Sequence, residues 1–507
     1  MSKIRTLAGQ TLWYGVSTVG ARFLNYLLTP LLTYLLDSPS GIEDYGSYGL
    51  LYAWIAVANI IFSYGLETGF FRYVNKPNTN PKSVFQTTFG SIFISTIGLI
   101  LLLVAFRSPI AQFISLGEHP EYIIWAALLV GLEALAIIPF AKLRQENHPR
   151  KYALIKIIGV CLNIFLVVCF LVFIPNYLET HSQVFFAEWY NRNNVVGFLV
   201  LANLIQNVLI FLLLFKEWKS FRFQIDWKLW KQIFRYSSPI IIIGTAAMIN
   251  EVMDRQMLKM FLPMSEADAM RVVGVYNANY KLAILITLFI QAFKMAAEPF
   301  FFNQARDKNA PRTYAKVMKW FILTIACAFL ITTLYLDVWK FFLGVPYRRG
   351  LGIVPILLGA NICLGVYYNL SVWYKLTDKM LMGLYITLAG MAITLFGNYF
   401  FIPKYGMYAA AWATFCCYFL MMILSYLIGQ KYYSVPYKVG RSALHIVAML
   451  VVYFIYEGLH SLSSSLVVHL LLATGLMALF VGIIFYMERE ELQALPVWSK
   501  LKGFIRR

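Results

Sequence analysis

The chain has 507 residues, of which 60% are hydrophobic and 13% are charged. Soluble globular domains carry about 25% charged residues, so this composition excludes a soluble domain and predicts many membrane-spanning helices. The net charge of +19 does not indicate nucleic-acid binding, because the Lys and Arg residues are scattered through short loops and form no clustered basic face.

Apolar runs bounded by charged, Gly and Pro residues predict an all-α polytopic membrane protein with about 14 transmembrane helices. We place these spans at residues 9–36, 45–71, 84–106, 121–141, 152–175, 195–215, 233–262, 274–303, 314–336, 350–374, 381–402, 407–428, 442–459 and 466–487.

The distribution of Lys and Arg predicts the orientation of these spans. When residues near the ends of spans are counted with the adjoining segments, 31 of the 43 Lys and Arg residues fall in one set of connecting segments and eight in the other, and Arg22, Arg255, Lys281 and Lys294 lie deeper within spans. Lys and Arg accumulate on the cytoplasmic side of membrane proteins. Both termini are therefore predicted to be cytoplasmic, and the longest outside loop, residues 175–194, is predicted to be periplasmic.

A weak internal repeat predicts two pseudo-symmetric six-helix lobes around a central cavity. Spans 1 and 7 are each followed by an acidic outside segment and then by a Gly-x-Tyr sequence, in DYGSYG and VVGVYN. We expect residues 1–215 to form the N-terminal lobe and residues 236–428 the C-terminal lobe. Residues 429–507 would supply two additional helices and a basic cytoplasmic tail.

The segment between the lobes, residues 216–235, alternates aromatic with basic residues. Trp227, Trp230 and Phe234 fall on one helical face, which is typical of an amphipathic helix lying at the membrane surface. We therefore predict a cytoplasmic amphipathic linker here.

Span 1 carries a polar stripe near mid-membrane, formed by Thr18, Arg22, Asn25 and Thr29 at helical spacing. A charge at that depth persists when it is paired or faces water. Two interpretations remain open for Arg22. It could pair with Glu133 of span 4, or it could present its planar guanidinium to an anion in a cavity. Glu133 is accordingly either a structural partner or a proton or sodium site.

Spans 7 and 8 form a charged hairpin. Glu251, Asp254 and Arg255 stand at i, i+3 and i+4, so they share one helical face. Arg255 and Lys281 each lie seven or eight residues from the outside turn of the predicted spans, which predicts a similar depth for both. Glu251 or Asp254 could partly neutralise them.

The return arm of the hairpin carries a second polar face, made of Gln291, Lys294 and Glu298. Lys294 and Glu298 are at i and i+4 and are predicted to pair with each other. Pro299 is expected to bend or break the span. Two polar faces in adjacent spans indicate a shared, water-accessible interior.

Neither a metal site nor an enzyme active site is indicated. The six Cys residues form no CxxC pair, and His445 and His469 occur singly, as core or interface histidines do. The sequence has no Walker A loop, GxSxG, HExxH or Rossmann glycine pattern. We expect a transporter with no cofactor other than a coupling proton or Na⁺.

Several segments together resemble oligosaccharide flippases of the polysaccharide-biosynthesis (Wzx-like) family. They are LAGQTLWYGVSTVGARFLNYLLTPLLTYLL, DYGSYGLLYAW, SYGLETGFFRY, WKLWKQIFRYSSPIIIIG, MDRQMLKMFLP and VGVYNANYKLA. The wider superfamily includes multidrug and toxin extrusion transporters and lipid II flippases, which share two six-helix lobes around a cavity that opens alternately to either side.

The resemblance implies export of an undecaprenyl-pyrophosphate-linked oligosaccharide across a bacterial inner membrane, as in O-antigen and lipopolysaccharide synthesis. Arg22, Arg255, Lys281 and Lys294 would then bind the anionic headgroup, with Arg22 and Arg255 foremost. Thr18, Asn25, Thr29 and Gln291 would line the cavity. Glu133, Glu251, Asp254 and Glu298 would serve ion coupling or structural pairing, with a proton or sodium gradient as the energy source.

The partners implied are the lipid-linked oligosaccharide, the bilayer, a glycan polymerase and glycosyltransferases, and the chain is expected to act as a monomer. Three alternatives remain. A multidrug cation antiporter would favour intramembrane carboxylates over the four basic residues found here. A lipid II flippase would differ in substrate and not in mechanism. A membrane glycan polymerase or ligase would be expected to carry a large periplasmic loop, whereas the longest predicted outside loop has about 20 residues.

Overall fold

A computed structural model describes residues 20–77, 79–181, 190–191, 194–305, 307–377, 379–462 and 465–493. Thr18 and the first half of predicted span 1 lie outside these residues. All regular elements within the described ranges are helices. The α-helices are α1 (Leu28–Leu35), α2 (Pro39–Ser63), α3 (Leu66–Val74), α4 (Pro81–Ala105), α5 (Arg107–Phe113), α6 (Glu121–Gln145), α7 (Pro149–Val168), α8 (Ile174–Thr180), α9 (Val195–Leu213), α10 (Phe215–Trp218), α11 (Trp227–Phe261), α12 (Glu266–Gln304), α13 (Ala310–Leu334), α14 (Leu336–Trp339), α15 (Val354–Leu370), α16 (Val372–Leu376), α17 (Met380–Tyr405), α18 (Met407–Tyr432), α19 (Val439–His460) and α20 (Leu466–Gln493).

The predicted fold class is confirmed. In the described part of the chain, 12 helices are long and apolar enough to cross a membrane, and α12 adds a bent thirteenth. The prediction of about 14 spans is close to this number, since the first predicted span lies partly outside the described residues. The protein is therefore a multi-pass α-helical membrane protein. We use "inner" and "outer" for its two ends according to the orientation predicted from Lys and Arg.

Capping side chains set where the central hairpin begins and turns. The Asp226 carboxylate accepts hydrogen bonds from the backbone N–H groups of Lys228 and Leu229, so α11 begins at Trp227. The Ser265 hydroxyl caps α12 in the same way through the N–H of Asp268. Both helices are consequently longer than the predicted spans, which moves residues of α12 deeper into the membrane.

The predicted amphipathic linker helix does not exist as a separate element. Residues 219–226 are not helical, and the aromatic residues that follow form the first turns of α11. The Trp230 ring stacks on Phe234 with centroids 5.0 Å apart, and its indole N–H donates to the Ser91 hydroxyl at 2.7 Å. Trp230 therefore packs against the N-terminal half of the protein, whereas Trp227 is 61% exposed.

Two bundles of helices account for most of the packing. In the N-terminal half, α6 packs against α2, α4 and α9, and α7 packs against α9. In the C-terminal half, α15 packs against α12, α13 and α18, and α17 packs against α11 and α18. The last two helices, α19 and α20, pack against each other and against α13. Helix α11 also contacts α2 and α3, so it joins the two bundles.

The bundles meet most closely where α2 crosses α12, near the outer end. A Cβ on Gly46 would lie 2.2 Å from the carbonyl oxygen of Met270, and one on Gly274 would lie 2.3 Å from that of Ile42. Glycine at both positions therefore allows the two backbones to touch, as small residues do at other membrane helix contacts. The crossing brings the second helix of each half together at one end of the molecule.

Helix α12 bends by 47° between Ile284 and Ile286. The Asn361 side chain donates a hydrogen bond to the carbonyl oxygen of Ala283 at 3.1 Å. A side chain that bonds a helix carbonyl competes with the helix ladder and favours a kink there. The break predicted at Pro299 is wrong, since the backbone of α12 continues through that position to Gln304.

Candidate functional site

Charged residues from three helical segments gather between the two bundles. Glu251 of α11 interacts electrostatically with Arg255 on its own helix, with Arg22 from the helical segment before α1, and with Lys281 of α12. The fold thus brings together residues that are more than 200 positions apart in the sequence. We call Arg22, Glu251, Asp254, Arg255 and Lys281 the inter-lobe charge cluster.

Arg255 and Asp254 form a buried and extensively bonded pair. Their side chains are 8% and 1% exposed, and Arg255 Nη1 lies 3.0 Å from Asp254 Oδ1. Arg255 also donates to the Asn277 side-chain oxygen at 3.3 Å and to the Glu251 carbonyl oxygen at 3.0 Å. These bonds satisfy the buried charges and join α11 to α12.

Tyrosines from α12 enclose this pair. The Tyr276 hydroxyl donates to Asp254 at 2.5 Å, and the Arg255 guanidinium lies 4.5 Å from the centroid of the Tyr280 ring. Tyr276, Tyr280 and Asn277 were not predicted as site residues. A signal was available, because Tyr276 and Tyr280 stand at i and i+4 on the arm that faces Arg255.

Arg22 has a different environment. Its side chain is exposed, and its guanidinium donates to the side-chain oxygen of Gln291 on α12. Two of the residues predicted to line the cavity, Arg22's neighbour Asn25 and its partner Gln291, retain solvent exposure, whereas Thr29 is buried. The described part of the span 1 polar stripe therefore divides between accessible residues nearer the inner end, Arg22 and Asn25, and a packed residue nearer the outer end, Thr29.

Lys281 and Glu251 lie on an internal surface. Both are surrounded by protein, yet both retain partial solvent accessibility. That combination is expected of groups on a cavity wall. Lys281 is fifteen residues into α12, whereas Arg255 is six residues from the end of α11. The predicted equal depth of these two cations is therefore wrong, because Ser265 starts α12 eight residues earlier than the predicted span.

Lys294 lies further toward the inner end. Its ammonium group is 4.4 Å from the centroid of the Tyr368 ring, and it lines a small recess together with Asn369 and Lys375. The side chain of Glu298 lies outside the described part of the structure. The predicted pairing of Lys294 with Glu298 thus stays a prediction.

Glu133 occupies a separate polar pocket within the N-terminal bundle. Its carboxylate accepts hydrogen bonds from the side-chain amides of Asn59 at 2.7 Å and Asn207 at 3.4 Å, with Lys156 within electrostatic range. Among the described contacts, then, Glu133 is held by amides and Arg22 by Gln291. The suggested Arg22–Glu133 pair is not formed.

The two ends of the molecule differ in charge. A cavity of about 590 Å³ at the outer end lies between α2, α6 and α12 and carries the carboxylates of Glu43, Asp44, Glu118 and Glu266. A cleft of about 1230 Å³ at the inner end carries Lys82, Lys142, Lys219 and Arg222, with Glu146 and Asp226 beside them. The outer cavity is acidic and the inner cleft is mainly basic.

The arrangement is suited to binding an anion. Arg22, Lys281 and Lys294 are accessible cations on helices that belong to different bundles or to different parts of one hairpin. Guanidinium and ammonium groups form their strongest hydrogen bonds with phosphate and carboxylate oxygens. A bound anion would consequently contact both bundles at once.

Comparison with known proteins supports the fold and the family. A sequence model described as polysaccharide biosynthesis protein matches residues 7–305. No curated protein matches the sequence.

Among solved structures, the lipid II flippase MurJ in an inward closed conformation has a TM-score of 0.70 at 12% identity, covering 93% of this chain and 98% of that chain. An inward-facing multidrug resistance MATE family transporter of the MOP superfamily has a TM-score of 0.59 at 14% identity, with coverages of 84% and 97%. The Vibrio cholerae MATE transporter VcmN in its bent form has a TM-score of 0.51 at 12% identity, with coverages of 85% and 98%. At these identities, the likeness shows a shared fold.

Proposed function

This chain belongs to the polysaccharide biosynthesis protein family, and we propose that it flips an undecaprenyl-pyrophosphate-linked oligosaccharide from the cytoplasmic to the periplasmic leaflet of a bacterial inner membrane. The observation that carries this proposal is the excess of accessible cations between the bundles. Asp254 and Arg255 neutralise each other, which leaves Arg22 and Lys281 beside Glu251. A pyrophosphate is the anionic part of the proposed cargo, so it would bind where these cations lie.

The likeness to alternating-access transporters suggests how the cargo would cross. The close crossing of α2 and α12 holds the outer ends of the bundles together. Arg22 precedes α1, and Lys281 lies on α12 shortly before its bend. A pyrophosphate that contacts both residues would link the N-terminal and C-terminal bundles. Separation of α2 from α12 would then open the cavity to the outer side. Each basic residue that binds the headgroup would move with the bundle to which its helix belongs.

We further propose that a proton or sodium gradient drives the cycle, with Glu133 as a candidate coupling group. Its carboxylate lies at membrane depth in a pocket of side-chain amides from α2 and α9. Protonation or Na⁺ binding would change the charge of this pocket and the hydrogen bonds that join α2 to α6. Replacing Glu133 with Gln would remove the charge and would be expected to abolish acceleration of transport by an imposed gradient.

A lipid II flippase is a second candidate, because lipid II carries the same pyrophosphate-polyprenyl group, and the lipid II flippase MurJ shares this fold. A multidrug cation antiporter is a third candidate. The accessible cations oppose it, since a cationic drug would be repelled by Arg22, Lys281 and Lys294. Glycosyltransferases and a glycan polymerase are the partners that the proposed cargo would require before and after transport.

The direct test is transport of a fluorescently labelled lipid-linked oligosaccharide by the purified full-length chain in proteoliposomes. Arg22→Ala and Lys281→Ala should each slow transport by roughly ten- to a hundredfold, because a hydrogen bond to a charged group contributes about 1.5–3 kcal/mol. Arg107→Ala is the matched control, since Arg107 is exposed at the start of α5, away from the charge cluster. Unchanged transport in both cluster variants would refute the headgroup assignment.

Parallel assays in the same vesicles separate the candidate cargoes. Transport of lipid II alone would favour the lipid II flippase. Transport of a cationic dye, insensitive to Arg22→Ala, would favour the drug exporter. Rates that stay constant after both the proton and the sodium gradients are collapsed would exclude ion coupling.

A further inference from the structure

Three side chains from three separate elements converge at the outer end of the C-terminal half. They are Asp337 of α14, His460 at the last position of α19 and His469 in the second turn of α20. Their nitrogen and oxygen ligand atoms all lie within 4.8 Å of one another. Asp337 is 123 residues from the nearer histidine in the sequence, so the fold alone creates this group.

Hydrogen bonds direct both histidines at one oxygen of the Asp337 carboxylate. His460 Nε2 lies 2.8 Å from Asp337 Oδ2, and His469 Nδ1 lies 2.6 Å from the same oxygen. The two imidazole centroids are 3.8 Å apart. Both rings therefore direct one nitrogen toward a single carboxylate oxygen, and they are in contact with each other.

The second carboxylate oxygen is already occupied. Lys340 Nζ lies 2.6 Å from Asp337 Oδ1. Metal-binding carboxylates are commonly held by a hydrogen bond to their other oxygen, which fixes the direction of the free one. Lys340 would thus orient Asp337 so that Oδ2 faces the two histidines.

We propose that Asp337, His460 and His469 bind a transition-metal ion of the zinc class. Two imidazole nitrogens and one carboxylate oxygen are a ligand set that Zn²⁺ accepts, with a fourth position left for water. Ligands of a tetrahedral zinc ion stand roughly 3.3 Å apart, given bond lengths of about 2.0–2.1 Å. The two nitrogen–oxygen separations, 2.8 and 2.6 Å, need to widen by only part of an ångström to admit the ion.

The site would have a structural role distinct from transport. It connects α14, which follows α13 of the C-terminal bundle, to the facing ends of α19 and α20. A metal bound there would fasten the two additional helices to that bundle at the outer end. The same helices are also joined near the inner end, where Lys319 of α13 binds Glu488 of α20 at 2.6 Å.

The test uses the full-length chain without a polyhistidine tag, stripped of metal and reconstituted in lipid nanodiscs. Co²⁺ serves as a spectroscopic probe, and the Zn²⁺ content is measured by mass spectrometry after dialysis. We expect one zinc ion per chain and visible Co²⁺ absorption bands typical of tetrahedral nitrogen and oxygen ligation. We also expect Zn²⁺ to raise the melting temperature of the wild type.

Asp337→Asn and His469→Gln should lose the Co²⁺ bands, the bound zinc and the Zn²⁺-dependent rise in melting temperature. His119→Gln is the matched control, because His119 also lies at the outer end and contacts a carboxylate, Glu121, at 2.8 Å. It should retain all three signals. A wild-type chain that binds no Zn²⁺ or Co²⁺, or site variants that bind as much as the wild type, would overturn the proposal. The wild-type measurement decides the question even where a variant fails to fold.

Discussion

Arg255 and Arg22 are two arginines at membrane depth with different contacts and therefore different expected roles. Arg255 is 7% exposed, and every one of its described contacts lies within the α11–α12 hairpin. Arg22 is exposed and bonds an amide across the inter-lobe space. An arginine that is already saturated by protein groups has little to offer a cargo. Stability should therefore depend on Arg255, and cargo binding on Arg22.

Arg255→Ala should lower the free energy of unfolding by about 3–5 kcal/mol, because it leaves the Asp254 charge buried without its partner. Arg271→Ala is the matched control. Arg271 belongs to an exposed pair with Asp268 on α12, and such pairs contribute about 0–1 kcal/mol. Thermal unfolding in nanodiscs would measure both. A wild-type melting temperature in Arg255→Ala, accompanied by slow transport, would instead place Arg255 at the cargo.

Glu491 offers a pH-dependent test at a single residue beyond the last membrane-spanning turn of α20. Its carboxylate lies 2.6 Å from Lys319 Nζ, and this hydrogen bond lowers the pKa of Glu491 from its usual value. A carboxyl group with a depressed folded-state pKa stabilises the protein above its unfolded-state pKa of about 4.3, and this stability is lost as the pH falls through the folded-state value.

Glu491→Gln should therefore reduce the melting temperature at neutral pH and flatten its decline below about pH 4.3. The exposed Glu457 supplies a control, and Glu457→Gln should follow the wild-type profile. Parallel wild-type and Glu491→Gln profiles between neutral and acidic pH would show that this pair does not stabilise the fold.

At the scale of helices, the crossing of α2 over α12 determines whether the outer end can close. The carbonyl oxygen of Met270 occupies the place where a side chain on Gly46 would begin. Because the obstacle is backbone, rotation of a side chain cannot relieve it. Any larger residue at position 46 must move one helix away from the other.

Gly46→Leu should therefore disfavour the closed outer end by about 1–3 kcal/mol, the usual cost of overpacking. Spin labels at Ser40 and Met264, both exposed at the outer end, would report a longer distance distribution in a background without the native cysteines. Gly98→Leu is the matched control, since a Cβ at Gly98 meets nothing within 4 Å. Identical distributions in Gly46→Leu and Gly98→Leu would show that the crossing does not hold the end closed.

At the scale of the whole molecule, the number of spans was largely predictable, because hydrophobic length alone reports a membrane helix. The charged hairpin was also predictable, since Glu251, Asp254 and Arg255 share a face by spacing. The bend in α12 was not, because the Asn361 side chain that bonds the carbonyl oxygen of Ala283 at the bend is 78 residues away in the sequence. The partners of Glu133 and the Asp337–His460–His469 group were likewise not predictable from the sequence, because each depends on contacts between distant helices.

The predicted orientation can be checked across the entire chain. Alkaline phosphatase needs an oxidising compartment for its disulfides, so it is active when exported. Fusions after Pro263, between α11 and α12, should be active, whereas fusions after Ser220, between α10 and α11, should be inactive. The opposite pattern would reverse the inner and outer ends and, with them, the proposed direction of transport.

The carboxylates of the outer cavity have one more consequence for the proposed cargo. Glu43, Asp44, Glu118 and Glu266 would repel a pyrophosphate that returned from the outer side, whereas the basic inner cleft would attract one approaching from the other side. When the protein opens toward the outer cavity, its carboxylates would speed release of the pyrophosphate and slow its rebinding. The charge pattern would thereby speed loading at the inner cleft and release at the outer cavity, while the direction of net flow would still be set by the gradients of the cargo and of the coupled ion.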